Sequence, residues 1–117
     1  MSRKTIIYHN PRCSKSRATL GLLEEKGEAL DVVKYLETPP NKETLRHILT
    51  MLGLSPRALM RQGEAEYKEH NLADESLSDE QLLDAMVAYP KLIERPIVVK
   101  DGKAAIGRPP ESVLEIL

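Results

Sequence analysis

An apolar run, a turn and a cationic segment follow one another around the only cysteine of the chain, in Thr5-Ile6-Ile7-Tyr8-His9-Asn10-Pro11-Arg12-Cys13-Ser14-Lys15-Ser16-Arg17. Residues 5–8 are apolar and are stopped by the Asn10-Pro11 pair, which predicts a short buried strand. A helix is then predicted from about Ser14 to Lys26, with Leu20 and Leu23 facing inward and Gly27 closing it. Cys13 is therefore expected between the end of a strand and the start of a helix.

Predicted strand and helix segments continue after the first helix. Residues 30–35 predict a second strand, which Thr38-Pro39-Pro40 ends. Asn41 has the character of an N-cap, and Gly53 of a helix end. Between them, apolar residues recur at helical spacing, at Leu45, Ile48, Leu49 and Leu52. A short further helix is predicted after Ser55-Pro56, because proline is tolerated at the first helical position.

The second half of the chain contains three further signals. Residues 62–77 are polar and irregular, and they allow one helical turn. Ser78-Asp79-Glu80-Gln81 has the form of a capping box and precedes an apolar stripe, made by Leu82, Leu83, Met86 and Val87. Asp101-Gly102 between two apolar runs predicts a hairpin. A last helix is predicted after Pro109-Pro110, with an inner face of Val113, Leu114 and Leu117.

The predicted order is strand, helix, strand, several helices, hairpin, helix. A βαβ unit followed by a ββα unit is the arrangement of a thioredoxin-like domain. The sequence therefore predicts an α/β protein with a thioredoxin-like fold, in which three helical segments form an insertion between the two halves. A chain of 117 residues has the size of one compact domain, so residues 1–117 are expected to form one.

Composition and charge exclude several classes of function. Lys and Arg number 17 against 18 Asp and Glu, so the chain offers no overall charge for binding nucleic acid or a membrane. One cysteine cannot form a disulfide within the chain and fits a reducing compartment. Only Ile6, Ile7 and Tyr8 form an apolar run near the N-terminus, too few for a signal peptide. We expect a soluble, cytoplasmic protein, and a monomer because exposed apolar runs are scarce.

The position of Cys13 favours a reactive thiolate. The first N–H groups of a helix point outward and carry partial positive charge, which stabilises an anion. Arg12, Lys15 and Arg17 add cations nearby, and such surroundings lower the pKa of a cysteine. The same N–H groups suit an oxyanion. The competing interpretation is a small buried cysteine without reactivity, but the flanking residues are polar. Ser16 stands where a dithiol motif has its second cysteine, so an external thiol would have to resolve any disulfide.

The histidines support fewer predictions than Cys13. His9 comes four residues before the cysteine, and it could either lower the thiol pKa as a cation or hydrogen-bond the loop. The three histidines and Cys13 have none of the usual metal-ligand spacings, so no metal site is predicted.

The chain resembles the glutaredoxin-dependent arsenate reductases of the ArsC family, in five segments that run in family order across almost its whole length. The segments are Ile7–Arg17, Tyr35–Pro40, Arg57–Arg61, Leu92–Val99 and Gly107–Pro109. The chain stops at Leu117, whereas longer members extend further, so it is similar to the short ArsC-like branch. The resemblance also implies a cis-proline at Pro96, opposite the cysteine.

The resemblance implies a role for each candidate residue. Cys13 becomes the nucleophile, and Arg61, Arg95 and Arg108 become the cations that hold the oxyanion. Guanidinium groups suit this task because thiolate attack on arsenate brings two negative charges together. From the residues alone, Arg61 also fits a solvated helix end. Arg95 and Arg108 each precede a proline, which restricts the backbone before it to extended conformations.

The resemblance further implies the course of the reaction. Cys13 attacks arsenate and forms a covalent adduct, glutathione attacks the adduct, and a glutaredoxin clears the mixed disulfide. No cofactor is expected to be bound, and glutathione and glutaredoxin act as external reductants. Two other functions fit the same fold. One is a monothiol oxidoreductase acting on glutathionylated proteins, and the other is a Spx-like regulator that binds RNA polymerase. Spx proteins typically carry a Cys-x-x-Cys switch, which Ser16 interrupts here.

Overall fold

The structure, a computed structural model, describes residues 4–117. Residues 1–3 lie outside the described residues. The chain forms two compact units, one made of the chain up to Thr38 together with Arg95–Leu117, and the other of Pro39–Glu94. The single domain over residues 1–117 stays a prediction.

The first unit contains a sheet with four strands in the described part of the chain. They are β1 (Thr5–His9), β2 (Leu30–Lys34), β3 (Ile97–Lys100) and β4 (Lys103–Ile106). The order across the sheet is β2-β1-β3-β4. β1 and β2 are parallel, with Ile7 opposite Val32, whereas β3 is antiparallel to both of its neighbours. Both strands predicted around the first helix are confirmed, as is the hairpin.

One helix, α1 (Ser14–Glu25), connects the two parallel strands and packs on the sheet. The core between them consists of aliphatic side chains that are fully buried, namely Ile7, Leu23, Val98 and Val113. Leu20 and Leu22 pack against this cluster while remaining partly exposed. Gly27 ends the helix with a φ of 72°, a conformation that glycine adopts without steric cost.

The Asp101-Gly102 turn joins β3 to β4 as the sequence predicts. Both residues have positive φ angles, 49° for Asp101 and 78° for Gly102. Two positive φ angles define the type I′ turn, whose twist matches that of the adjoining strands.

The prediction for the last helix is wrong in two respects. The segment Pro110–Ile116 is a 3₁₀ helix rather than an α-helix. Because a 3₁₀ helix has three residues per turn, its inner face comprises Pro110, Val113 and Ile116. Val113 is fully buried, whereas Leu114 and Leu117 are 38% and 37% exposed. The spacing of an α-helix had placed these two leucines inside.

The second unit is helical. Its helices in the described chain are α2 (Lys42–Leu52), α3 (Pro56–Leu59), α4 (Ala65–Glu69) and α5 (Asp79–Ala88), followed by the 3₁₀ turn Pro90–Leu92. The three predicted helical segments correspond to α2, α3 and α5, and α4 is a single turn within the polar stretch 62–77. The turn Pro90–Leu92 was not predicted. The side-chain oxygens of Asn41, Ser55 and Ser78 accept backbone N–H groups at the starts of α2, α3 and α5, and Ser78 forms the predicted capping box.

The helices of this unit pack through the predicted apolar residues. Leu45, Ile48, Leu82 and Met86 are each at most 2% exposed. The order of elements, βαβ, helices and then ββ with a final helix, is that of a thioredoxin-like α/β fold with a helical insertion, as predicted. None of the helices in residues 4–117 combines the length and the apolar character that crossing a membrane requires.

Candidate active site around Cys13

Cys13 is the N-cap of α1, directly after the turn that leaves β1. Its backbone has extended angles, and its N–H donates to the carbonyl oxygen of Asn10 at 3.0 Å. The Asn10 side-chain oxygen accepts the N–H of Arg12 at 3.0 Å, which fixes the turn. The sulfur therefore stands at the helix start, where the free N–H groups favour an anion.

Two arginines from the other end of the chain contact the sulfur. Arg108 Nη2 lies 3.5 Å from Cys13 Sγ, and Arg95 also donates a side-chain hydrogen bond to it. Arg108 Nε donates to the backbone oxygen of Arg95 at 2.8 Å. This bond holds the Arg108 guanidinium against the backbone of Arg95. The structure thus brings together three of the predicted site residues.

The environment lowers the pKa of the Cys13 thiol overall. Burial raises this pKa, but the backbone N–H of Ser16, the Arg95 side chain, the backbone N–H of Lys15 and the charge of Arg95 lower it by more. The groups that lower it are thus Arg95 and the helix N–H groups. A larger fraction of the sulfur is therefore thiolate at neutral pH than in an ordinary cysteine.

The surroundings of Cys13 argue against a purely structural cysteine. The residue is 9% exposed, which is compatible with either interpretation. A structural cysteine is packed among apolar side chains, whereas this sulfur is hydrogen-bonded by a guanidinium group and by helix N–H groups. Arg12, Lys15 and Arg17, the cations nearest in sequence, have exposed side chains, and Arg17 Nη1 donates to the Pro11 carbonyl at 2.9 Å.

His9 is tied to the same loop through Ser16. The His9 Nδ1 and Ser16 Oγ atoms lie 2.6 Å apart, and the Asn10 N–H donates to the same hydroxyl oxygen at 3.0 Å. Burial lowers the pKa of His9, and the charges of Lys34 and Arg17 lower it further. The neutral imidazole is therefore favoured at neutral pH. Of the two roles left open by the sequence, this geometry favours hydrogen bonding of the loop, and a catalytic role for His9 stays a prediction.

The hydrogen bonds of Ser16 within the site were not predicted from the sequence. Its side chain is fully buried, its hydroxyl joins His9 to the Asn10 backbone, and its own N–H lowers the pKa of Cys13. A signal was available, because residues three apart on a helix share a face. Ser16 stands three residues after Cys13.

Arg61 lies in the second unit, at the end of the segment that follows α3. Its Nη1 is 3.0 Å from Glu94 Oε1, and its Nε is 3.8 Å from Glu64 Oε2. Its backbone N–H donates to the Leu92 carbonyl at 2.7 Å. The half-buried side chain is therefore held by two carboxylates rather than solvated at a helix end. Its role toward an oxyanion stays a prediction.

Gly107 allows the segment that carries Arg108 to approach α1 closely. The Gly107 N–H donates to the Pro96 carbonyl at 2.9 Å. A Cβ at this position would lie 2.4 Å from Thr19 Oγ1 and 2.8 Å from Pro96 Cγ. The Arg95-Pro96 peptide is cis, as the family resemblance implies for Pro96, and so is Arg108-Pro109.

This arrangement can support nucleophilic chemistry on an anion. It offers a sulfur with thiolate character, helix N–H groups and two guanidinium groups, which are the features that bind and activate an oxyanion. Within residues 4–117, no group of three or more His, Cys, Asp and Glu side chains is placed to hold a metal ion.

A family model described as the ArsC family matches residues 8–116. The chain belongs to the ArsC family. Three similar proteins extend this finding. The uncharacterized protein YfgD of Escherichia coli (strain K12) is 64% identical, over 100% of this chain and 99% of that protein. An arsenate reductase of Neisseria meningitidis is 53% identical, over 95% of this chain and 96% of that protein.

A solved ArsC-type structure shares the whole fold. The arsenate reductase from Vibrio cholerae matches with a TM-score of 0.96 and 58% identity, covering 100% of both chains. The family suggested by the five sequence segments is thereby confirmed, and so is the thioredoxin-like fold.

Proposed function

We propose that this ArsC-family protein is an arsenate reductase that uses Cys13 as its nucleophile and glutathione with glutaredoxin as its reductants. The observation that carries the proposal is the placement of Cys13 Sγ at the start of α1, with the Arg95 side chain hydrogen-bonded to it and Arg108 Nη2 at 3.5 Å. The Neisseria and Vibrio relatives add support, since both are named arsenate reductases.

The first step forms a bond between sulfur and arsenic. The Cys13 thiolate attacks arsenate, and one arsenate oxygen leaves as water after protonation, which leaves a covalent Cys13–arsenate(V) adduct. The helix N–H groups and the guanidinium groups of Arg95 and Arg108 reduce the repulsion between thiolate and oxyanion. Preorganised donors of this kind typically contribute a factor of about 10²–10³ each to the rate. We assign Arg61 to the same oxyanion, as the third cation.

The second step transfers two electrons to arsenic. The glutathione thiolate attacks the sulfur of the adduct, a sulfur–sulfur bond forms, and the electron pair of the sulfur–arsenic bond stays on arsenic as arsenite(III) leaves. A glutaredoxin thiol then attacks the glutathione sulfur of the mixed disulfide and releases the Cys13 thiolate. With one cysteine in the chain, an external thiol has to supply this step. We further propose a cytoplasmic location, since thiol reductants require a reducing compartment. We also propose a monomer, because exposed apolar runs are scarce in the sequence.

The experiment is a coupled assay of arsenate-dependent NADPH oxidation with glutathione, glutaredoxin and glutathione reductase. Turnover is expected for the wild type, none for Cys13→Ser, and a decrease of about 10²-fold for Arg95→Ala. Arg46→Ala is the matched arginine control, because the Arg46–Glu80 pair is exposed and such pairs contribute little. Absence of turnover above the background with glutathione alone would rule out arsenate as the substrate.

The two alternatives can be separated with the same proteins. A monothiol oxidoreductase would reduce a glutathionylated peptide without arsenate and would tolerate Arg61→Ala and Arg108→Ala. An RNA polymerase-binding regulator would retain the polymerase in a pull-down. For an arsenate reductase, both arginine variants are expected to lower kcat/KM for arsenate.

A further inference from the structure

A cavity of about 300 Å³ lies beside the turn that presents Cys13, and the reaction steps above assign it no role. It is lined by residues of two segments, His9, Asn10, Pro11 and Arg12 on one side and Lys34, Leu36 and Glu37 on the other. The first segment begins at the last residue of β1 and the second at the last residue of β2. In parallel sheets, ligands bind outside the carboxyl ends of the strands. The volume is at the lower end of the range for small-molecule sites.

The walls of the cavity are fixed by backbone hydrogen bonds. His9 and Lys34 are partners in the parallel register of β1 and β2. The Glu37 N–H donates to the Lys34 carbonyl oxygen at 3.0 Å, which closes a turn and keeps both side chains on the same rim. On the other side, the Cys13 N–H donates to the Asn10 carbonyl oxygen and closes a turn. This turn contains the lining residues Asn10, Pro11 and Arg12 and ends at Cys13. The lining ends at Arg12, the residue directly before Cys13, so a ligand in this cavity would contact the turn that presents the nucleophile.

Three charged side chains on the rim are available to a ligand. The side chains of Arg12, Lys34 and Glu37 are exposed, and none of them forms a hydrogen bond or ion pair with another of residues 4–117. The rim thus carries two cations and one anion. Leu36 adds an apolar surface, being 39% exposed although it is a large aliphatic residue.

We propose that this cavity binds glutathione, with Arg12 and Lys34 holding its two carboxylates, Glu37 its ammonium group, and Leu36 its aliphatic chain. The proposal rests on the proposed function, in which glutathione attacks the adduct on Cys13. Glutathione carries one carboxylate and one ammonium group on one side of its thiol, and one carboxylate on the other side. Its three charges therefore match the two cations and one anion of the rim. A carboxylate held by a guanidinium or an ammonium is among the stronger hydrogen-bonded contacts in proteins.

The first test measures binding without turnover. S-methylglutathione has the charges of glutathione but no thiol, so its binding can be titrated by NMR on the complete protein in the absence of arsenate. Lys34→Ala and Glu37→Gln are each expected to weaken this binding by up to about fivefold, the upper end for an exposed charged contact. Lys26→Ala and Glu25→Gln are the matched controls, because both residues are exposed on or next to α1 and do not line the cavity.

The second test measures KM for glutathione and for arsenate separately in the coupled assay. Lys34→Ala should raise KM for glutathione by a similar factor and leave KM for arsenate unchanged. Binding of S-methylglutathione that is equal in Lys34→Ala, Glu37→Gln and their controls would overturn the cavity as the site, even if arsenate is reduced. No binding by the wild type would overturn it as well. Binding through these residues without any arsenate turnover would support the glutathione site and refute the proposed function.

Discussion

Gly107→Ala is predicted to destabilise the protein because the added methyl group has no space. Gly107 is buried, and its Cβ would lie 2.4 Å from Thr19 Oγ1 and 2.8 Å from Pro96 Cγ. Both distances are well below ordinary van der Waals contact. Thr19 is held in place because its Oγ1 donates to the Lys15 carbonyl at 2.8 Å.

The magnitude follows from the cost of overpacking a well-packed site, about 1–3 kcal/mol of unfolding free energy. The smaller conformational freedom of alanine in the unfolded chain returns only about 0.4–1 kcal/mol. We expect a net loss of about 1–2 kcal/mol, which lowers the melting temperature by roughly 4–8 °C for a chain of this size.

The assay is urea unfolding followed by circular dichroism, with Gly21→Ala as the matched control. Gly21 lies inside α1, is exposed, and has no atom within 4 Å of an added Cβ. This variant should raise the unfolding free energy by about 0.5–1 kcal/mol. In addition, Thr19→Ala should reduce the cost of Gly107→Ala by about 1 kcal/mol in a double-mutant cycle. A Gly107→Ala protein as stable as the wild type would refute the close approach on which this reasoning depends.

Three further variants test the site and its support. Arg95→Ala should raise the pKa of Cys13, because a hydrogen bond and a positive charge are lost. The profile of iodoacetamide alkylation rate against pH should then move to higher pH. An unmoved profile would contradict this assignment. Ser16→Ala should lower the unfolding free energy by about 1–3 kcal/mol, since a buried backbone N–H loses its acceptor, and urea unfolding at the stability of the wild type would count against that bond. The hydrogen bond from Lys100 lowers the pKa of Glu28, so this carboxylate contributes stability above its unfolded pKa of about 4.3 and loses it as the pH falls further. Glu28→Gln should therefore flatten the decline of the melting temperature below this pH, and an unchanged decline would argue against the contribution of this pair.

Features fixed by local chemistry could be predicted from the sequence. The Asp101-Gly102 turn, the caps at Asn41 and Ser78, and the ends of β1 and α1 each depend on a few adjacent residues, and all appear in the structure. Cys13 could also be recognised as a helix-start cysteine from its immediate neighbours.

Features that depend on distant parts of the chain were less accessible. Arg95 and Arg108 reach Cys13 only because the sheet order sets β3 beside β1, and their assignment came from the family resemblance rather than from spacing. The proximity of Gly107 to Thr19 has no local signal at all. Leu114 was placed inside because the apolar spacing is compatible with an α-helix, whereas a three-residue period buries Val113.

In the proposed reaction, Cys13 attacks arsenate and then forms a mixed disulfide with glutathione. A single-turnover experiment tests this claim most directly, with wild-type protein, arsenate and glutathione but no glutaredoxin, followed by arsenite quantification and intact-protein mass spectrometry. We expect one arsenite per protein molecule and a mass increase of one glutathione on Cys13, with neither product in Cys13→Ser. Arsenite formed equally by Cys13→Ser, or formed by the wild type without glutathione on Cys13, would contradict it.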